Sequence, residues 1–456
     1  MTEHLRTITP AKGWRPDSWQ QKPAGQQATY ASDGSLKGVL AQLAGMPPLV
    51  TSWEILSLKQ QIAEAQAGKR FFLQGGDCAE VFGECESSIV ANRLKVLLQM
   101  SLILLHGLEM PVLRVGRFAG QYAKPRSDNT ETIDGVTLPS YRGDLVNSPE
   151  FTAEAREPDP QRLLRAHSCS AMTMNFVRAL VDGGFADLHH PEYWDLGWVE
   201  HSPLAAEFHR IADSIGHSVR FMETITGQEP GSLKRVDFFT SHEALHLHYE
   251  QALVRQVPRQ WGYFNLSTHF PWIGMRTAEL GGAHVEMFRG IRNPLGIKVG
   301  PGMSADWLKG LLRTLNPDNE AGRIVLIHRM GAGKVADHLP GLVEAVKATG
   351  SPVLWICDPM HGNTEKAGNG YKTRRFDNIR AEVEQAFEIH AACGSRLGGV
   401  HLELTGENVT ECIGGAREIN EDDLARCYKT TVDPRLNYEQ ALEMAMLVVR
   451  KHRSLA

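Results

Sequence analysis

VLWICDPMHGNT, residues 353–364, is an apolar run with the length of a buried strand that ends in Asp, His and Asn. The same arrangement recurs in other segments: FFLQGGDCAE at 71–80, VLRVGRFAG at 112–120, IVLIHRMG at 324–331 and VHLELTGENVTE at 400–411. Reactive side chains at the ends of buried parallel strands are typical of a (β/α)8 barrel, whose βα loops all open on one face. The sequence therefore predicts an α/β fold, a TIM barrel with one active site.

The rest of the chain supplies the other barrel strands and two additions to the barrel. Strands are predicted near residues 71–76, 111–116, 187–191, 236–241, 296–300, 324–329, 353–358 and 398–404. Residues 1–55 are predicted to form an N-terminal extension, and residues 56–456 the catalytic barrel. Residues 145–235 are longer than one barrel helix requires, so they are expected to hold the third strand and a helical insertion after the second strand.

Composition excludes several classes of partner. The chain has 456 residues, 42% of them hydrophobic and 22% charged, with a formal net charge of -5 and a pI of about 6.4. No global basic field exists to hold nucleic acid or an anionic membrane, so neither is an expected partner. We find no apolar run of about 20 residues and no signal peptide, which predicts a cytoplasmic protein. Its seven widely spaced cysteines are expected to be reduced.

Four side chains at strand ends make a candidate metal site: Cys78, His361, Glu403 and Asp433. Taken singly, the cysteine is typical of a small core side chain, the histidine of a turn and the aspartate of an Asp-Pro turn. Glu403 is harder to explain, because a carboxylate in an apolar strand is costly unless it is paired or bound to metal. Together the four donors suit Mn²⁺, Fe²⁺, Co²⁺ or Zn²⁺ better than Mg²⁺ or Ca²⁺.

Basic residues form a second candidate site. Six follow or end buried runs: Arg117, Lys124, Arg126, Arg276, Lys298 and Arg329. In an acidic protein, such positions favour a focused cationic cleft, in which forked Arg groups grip phosphate or carboxylate, although rim salt bridges are the alternative. A Lewis-acid metal beside this pocket predicts a small polyanionic substrate that carries a carbonyl group.

At this point the chain resembles a known family. The motifs GGDCAE, RFAGQYAKPRS, SYRGD, TSHEAL, IKVGP, HRMG, CDPMHGNT, GGVHLELTGENVTECIGG and DPRLN occur in this order. Together they closely resemble the type II (plant-like) 3-deoxy-D-arabino-heptulosonate 7-phosphate synthases, over residues 47–450. The resemblance implies condensation of phosphoenolpyruvate with D-erythrose 4-phosphate, the first step of the shikimate pathway. It also implies a divalent metal, Mn²⁺ or Co²⁺, held by the same four donors.

The resemblance extends to individual positions. It places phosphoenolpyruvate on Arg117, Arg276, Lys298 and Arg329, with Glu243 and Trp272 in the same pocket, and erythrose 4-phosphate on Lys124, Pro125, Arg126 and Ser127. Lys124 and Glu243 are the candidates for proton transfer. Two positions depart from the pattern: Met275 stands where many relatives have Glu, and Val432 where many have Cys. The resemblance further implies a homodimer or homotetramer inhibited by aromatic amino acids.

Three other interpretations remain open at the level of sequence. A barrel that condenses acetyl-coenzyme A with a 2-oxo acid would need a His-x-His metal pair, whereas HLH at 246–248 lies in a predicted helix. A synthase of specialised metabolism would share every motif. A catalytically inactive regulatory barrel is expected to have lost a metal ligand or an anion-binding Arg, and all of those named above are present.

Overall fold

The computed structural model describes residues 13–183, 205–226 and 237–455, and within them parallel strands close into a barrel. Strands that neighbour each other in the barrel are also consecutive barrel strands in the chain, and the first pairs with the last. They are β1 Phe71–Gly76, β2 Val112–Arg117, β3 Phe238–Glu243, β4 Phe270–Ile273, β5 Leu295–Val299, β6 Ile324–His328, β7 Val353–Cys357 and β8 Leu397–Glu403. All their carboxyl ends therefore meet on one face.

The helices surround the barrel and extend it. They are α1 Asp33–Gly45, α2 Ser52–Gln66, α3 Ser87–Leu108, α4 Ala153–Arg156, α5 Gln161–Asp182, α6 Ala205–Thr226, α7 Leu247–Ala252, α8 Ala283–Arg289, α9 Ala305–Leu315, α10 Val335–Lys347, α11 Phe376–Ala392 and α12 Tyr438–Leu455. Short hairpins pair Thr130–Ile133 with Val136–Pro139, Val254–Gln256 with Tyr263–Asn265, and Thr364–Lys366 with Lys372–Arg374.

Alternate strand residues fill the interior of the barrel, and α2 closes its amino-terminal end. The interior cluster takes Phe72, Leu113, Val115, Phe239, Phe270, Trp272, Val325, Ile327, Leu354 and Ile356 from the strands. Leu58, Ile62 and Ala65 of α2 join it, at the spacing that puts side chains on one helix face. A capping box between Thr51 and Glu54 starts this helix. The lower barrel is therefore a packed core.

Helix α3 corrects the expectation that no segment is apolar enough to cross a bilayer. By length and composition it would pass that test, but 72% of its most apolar window is buried inside the protein. It packs on α12, α5 and α6. This burial is that of a core helix, and helices apolar on all sides are expected in such positions.

The predicted strands coincide with barrel strands to within two residues, except in one region. The strand expected at 187–191 lies outside the described residues. The barrel closes with β3 as its third strand, so the third strand was wrongly placed within 145–235. The fourth strand, β4, was missed. It has only four residues, and its Pro271 cannot donate a ladder hydrogen bond, which weakens the strand signal.

The N-terminal extension and the insertion at 145–235 both pack against helices that surround the barrel. The described part of residues 1–55 contains α1, and Trp14 and Trp19 of this arm join the main hydrophobic core. Trp14 Nε1 donates a hydrogen bond to the carbonyl of Glu286 in α8. Residues 145–235 contribute α4, α5 and α6. The division into an extension and a barrel domain at residue 55 stays a prediction.

Candidate active site

A cavity of about 660 Å³ opens at the carboxyl ends of the barrel strands. It is lined by Cys78, Arg117, Lys124, Pro125, Arg126, Ser127, Glu243, Trp272, Met275, Arg276, Lys298, Arg329, His361 and Asp433, among others. These are all the residues that the sequence predicted for the site except Glu403, which is fully buried. The structure thus brings together side chains that are up to 355 positions apart in the chain.

The four predicted metal donors converge at one edge of this cavity. Donor atoms of Cys78, Glu403 and Asp433 all lie within 4.8 Å of one another. His361 joins them, with its Nε2 atom 3.0 Å from Oε1 of Glu403. The barrel itself explains the meeting, because β1 and β8 pair in a register that sets Gly76 against Glu403. Cys78 follows β1 by two residues, so it reaches the end of β8.

The chemistry of these donors fits a divalent cation. Burial and the neighbouring Glu403 raise the pKa of the Cys78 thiol. The ammonium group of Lys124 contacts both Cys78 Sγ and Asp433 Oδ2, so a positive charge already occupies the space between two of the donors. Nε2 of His361 and the donor atoms of Glu403 and Asp433 add one imidazole and two carboxylates to this group. One thiol, one imidazole and two carboxylates match borderline transition metals, and such a cation would compete with Lys124 for the donors.

Glu403 is held in its ionised form by buried cationic groups. Arg117 donates to its Oε1 atom at 3.1 Å, and Arg374 Nη1 forms an ion pair with Oε2 at 2.7 Å. Although burial opposes ionisation, His361, Arg374 and Arg117 hold the pKa of Glu403 well below its usual range. Arg374 was not predicted from the sequence. Arg117 lines the cavity and also contacts the metal-type cluster, by which we mean Cys78, His361, Glu403 and Asp433. Its phosphoenolpyruvate contact stays a prediction.

Asp358 joins the metal-type cluster to the cationic pocket. This carboxylate is fully buried, contacts the Lys298 ammonium group and lies 2.7 Å from Nδ1 of His361. A carboxylate on Nδ1 fixes the histidine tautomer and leaves Nε2 free to act as a ligand. Asp358 was missed although it lies inside the CDPMHGNT motif, because a carboxylate directly after a strand has the same appearance as a turn residue.

The predicted anion-binding residues line the same cavity. Arg276 donates to Ser127 Oγ at 3.0 Å, which joins the 3-10 turn Met275–Thr277 to the Lys124–Ser127 segment. Arg329 donates to the backbone carbonyl of His361. Arg126 is paired with Glu131, so it carries the rim salt bridge that was the alternative to a ligand contact.

Two further predicted residues have distinct surroundings. Burial raises the pKa of Glu243, against the effect of the nearby Lys124 and Lys298. Met275 packs on Gly300, where a Cβ atom would approach the methionine sulfur to 2.6 Å. Gly300 therefore leaves the space that the Met275 side chain occupies, and this side chain forms part of the cavity wall.

Known proteins resemble this chain over almost its whole length. The sequence profile of the Class-II DAHP synthetase family matches residues 14–449. A Streptomyces coelicolor protein named phospho-2-dehydro-3-deoxyheptonate aldolase is 47% identical over 453 residues, covering 99% of this chain and 100% of the relative. A Neurospora crassa protein of the same name is 45% identical over 464 residues, covering 98% of this chain and 96% of the relative.

Fold comparison gives the same architecture. The solved structure of phospho-2-dehydro-3-deoxyheptonate aldolase from Francisella tularensis superimposes with a TM-score of 0.52, covering 92% of this chain and 97% of that one. At 14% sequence identity this likeness concerns the fold alone. The profile match and the two full-length relatives show that the chain belongs to the Class-II DAHP synthetase family.

Proposed function

We propose that the protein condenses phosphoenolpyruvate with D-erythrose 4-phosphate and water, giving 3-deoxy-D-arabino-heptulosonate 7-phosphate and phosphate in the first step of the shikimate pathway. The observation that carries this proposal is that Cys78, His361 and Asp433, with the buried Glu403 beside them, share one cavity with Lys298, Arg276 and Arg329. The test incubates the purified protein with both substrates and measures released phosphate and product mass. Failure to form the heptulosonate with any of the four metals would refute the function.

The metal-type residues fit a role in activating the aldehyde. Cys78, His361, Glu403 and Asp433 would hold Mn²⁺ or Co²⁺, with Zn²⁺ or Fe²⁺ as alternatives. When bound, the cation supplies Lewis-acid polarisation of the aldehyde oxygen of erythrose 4-phosphate. Lys124 lies beside two of these donors. Although burial opposes it, Cys78 and Asp433 hold the pKa of Lys124 above its usual range, so its ammonium group is charged at neutral pH. We assign Lys124 as the proton donor to the oxygen that becomes negative because of its position beside these donors.

The remaining residues bind and orient the second substrate. Lys298, Arg276 and Arg329 are assigned to the phosphate and carboxylate of phosphoenolpyruvate, as charge-assisted donors. Its C3 atom attacks the aldehyde carbon, C2 becomes cationic and water adds there, and phosphate leaves by cleavage of the C–O bond. Glu243 is assigned as the base that accepts a proton from this water, because its raised pKa places it nearer neutrality than an exposed carboxylate.

The affinity for phosphoenolpyruvate is expected to fall at alkaline pH because of Lys298. Burial lowers the pKa of this ammonium group to about 8, although Asp358 acts in the opposite direction. The charged form is therefore present below pH 8 and is lost as pH rises through that value. Above it, kcat/KM for phosphoenolpyruvate should decline by about tenfold per pH unit. A profile that stays flat to pH 9.5 would remove Lys298 from the binding site.

Assembly and regulation are also proposed from the family. We expect a homodimer or homotetramer that is inhibited by Trp, Tyr or Phe, alone or combined, with the N-terminal arm and residues 145–235 as the material available for interfaces and inhibitor sites. Light scattering gives the assembly state, and the synthase assay with each amino acid and their mixture tests inhibition. A monomer that no mixture inhibits would contradict both expectations.

A further inference from the structure

Glu382 of α11 holds the backbone of a loop that carries a predicted substrate-binding residue. Its side chain is fully buried, and Oε1 accepts the backbone N–H groups of Met330 at 2.8 Å and Gly331 at 2.9 Å. Arg329 directly precedes these two residues. The position of its guanidinium group therefore depends on a carboxylate that lies behind the barrel wall and outside every motif identified in the sequence.

The other oxygen of Glu382 reaches the loop of a metal-type ligand. Oε2 accepts a hydrogen bond from Asn363 Nδ2 at 2.7 Å, and Asn363 follows His361 by two residues. Asn363 Oδ1 in turn accepts the N–H of Ala332 at 3.0 Å. One carboxylate thus contacts both loops, and one amide cross-links them.

The backbones of these two loops also touch directly. A Cβ atom at Gly331, whose φ is +88°, would meet the carbonyl oxygen of Gly362 at 2.7 Å, and one at Gly362 would meet the nitrogen of Gly331 at 2.2 Å. Arg329 also donates to the carbonyl of His361. Only glycine permits this approach, so the loops form one packed unit that Glu382 holds from behind.

We propose that Glu382 is a positioning residue that couples binding of the phosphorylated substrate at Arg329 to binding of the divalent cation at His361. This inference rests on the proposed function, because it takes the anion and the cation from that reaction. A ligand that orders one loop also orders the other through Glu382, so the second ligand loses less conformational entropy on binding, and such coupling is reciprocal.

Other buried carboxylates in the barrel show why Glu382 is suited to this role. Glu80 accepts the N–H groups of Ala119, Gly120 and Gln121 but is also paired with Arg93. Glu382 has only N–H donors as its partners in the parts of the chain described above. Burial raises the pKa of Glu382 to about 7 and these N–H groups oppose that shift, so its charged form depends on the two loops.

A role for Glu382 as a metal ligand is the competing explanation. Donor atoms of His328, Cys357 and Glu382 lie within 4.8 Å of one another, and both ring nitrogens of His328 lack a hydrogen-bond partner in the described ranges. However, the oxygens of Glu382 already accept three N–H groups, which leaves little capacity for a cation. The number of cations bound per chain distinguishes the two roles.

The test compares Glu382→Gln with Glu384→Gln, a matched change on the same helix. Glutamine keeps the size of the side chain, but its amino group would face the donating amide of Asn363 and break one of the two links. Calorimetry with phosphoenolpyruvate and Mn²⁺ needs no turnover, so it separates this inference from the proposed reaction. We expect Glu382→Gln to lower the affinity for phosphoenolpyruvate by about tenfold and Glu384→Gln to leave this affinity unchanged.

The decisive quantity is the dissociation constant of Mn²⁺ with and without saturating phosphoenolpyruvate. In the unaltered protein the anion should lower the dissociation constant of Mn²⁺. In Glu382→Gln the ratio of the constants without and with phosphoenolpyruvate should approach one. An unchanged ratio, even with lower thermal stability, would reduce Glu382 to a structural role and overturn the proposal. If each chain binds a second Mn²⁺ and Glu382→Gln abolishes that binding, Glu382 is a metal ligand and the proposal is overturned equally. Loss of condensation with coupling intact would instead refute only the proposed reaction.

Hydrogen exchange on the unaltered protein provides an independent check if Glu382→Gln folds poorly. Met330 and Gly331 lie in a loop, yet their N–H groups are donated to a buried carboxylate. They should exchange at least about a hundredfold more slowly than exposed loop amides. Exchange at the rate of an open loop would show that the carboxylate does not hold them, which contradicts the proposal.

Discussion

Cys78→Ser is expected to lower the affinity for the activating cation by at least about a hundredfold and to remove condensation activity at limiting metal. The change replaces a thiolate ligand with a neutral hydroxyl of similar size. Chelation of the unaltered protein should likewise abolish activity, and added Mn²⁺ or Co²⁺ should restore it. A metal titration of chelator-treated protein, read by both bound metal and rate, measures the effect.

Cys85→Ser is the matched control for this experiment. Cys85 is only seven residues further along, but its sulfur contacts the carbonyl of Cys169 outside the cavity, so its replacement should be nearly silent. Circular dichroism should be unchanged in Cys78→Ser and in metal-free protein, because the barrel core does not depend on the ion. Full activity in metal-free buffer, or unchanged metal content in Cys78→Ser, would refute the assignment.

Barrel topology explains why three of the predicted metal donors lie together. Strand-length apolar runs predict buried parallel strands, and such strands deliver whatever follows them to one face of the barrel. Cys78, His361 and Glu403 could therefore be grouped before any contact was known. Asp433 was grouped with them as a strand-end residue, and this placement was wrong, because it lies in a bend before α12 and follows no strand of the barrel directly.

The groups that hold these ligands could not be found in the same way. Asp358, Arg374 and Glu382 act through tertiary contacts, and nothing local distinguishes them from a turn residue, a surface cation or a helix-face acid. Glu382 lies in a helical segment, where only its register places it against the barrel. Identifying such residues requires the angle at which a helix packs, and hydrophobic periodicity leaves that angle undetermined.

The ligand loops also depend on a buried charge network that spans the two ends of the chain. Arg435 donates to Asp77 at 2.8 Å and to Glu411 at 2.9 Å, and Asp77 also contacts Arg93. Asp77 precedes Cys78, and Arg435 follows Asp433 by two residues. The Arg435–Asp77 ion pair thus sets Cys78 and Asp433 side by side. A buried pair gives little net stability, so its contribution is geometric.

Asp358→Asn is expected to lower kcat/KM for phosphoenolpyruvate by about a hundredfold, because Lys298 loses its ion-pair partner and His361 loses the carboxylate that orients its ring. The backbone N–H groups of Met360 and His361 point at Oδ1 of Asp358, so the single oxygen of an asparagine would take that place. Its amino group would then face Lys298 and His361 Nδ1. That donor would favour the histidine tautomer with a proton on Nε2, which removes the lone pair that a cation needs.

Loss of the Asp358 charge also has a signature in the pH dependence of binding. Burial lowers the pKa of Lys298 to about 8 even though Asp358 raises it, so without Asp358 the ammonium group should lose its proton at lower pH. Affinity for phosphoenolpyruvate in Asp358→Asn should therefore be lost at a lower pH than in the unaltered protein and should recover partly on acidification.

Asp377→Asn, at an aspartate whose side chain is 80% exposed, is the control and should change neither the affinity nor the pH at which it is lost. Calorimetry between pH 6 and 9 makes the comparison. If the two proteins lose affinity at the same pH, Lys298 keeps its charge without Asp358, and the link between the cationic pocket and the metal-type cluster is refuted.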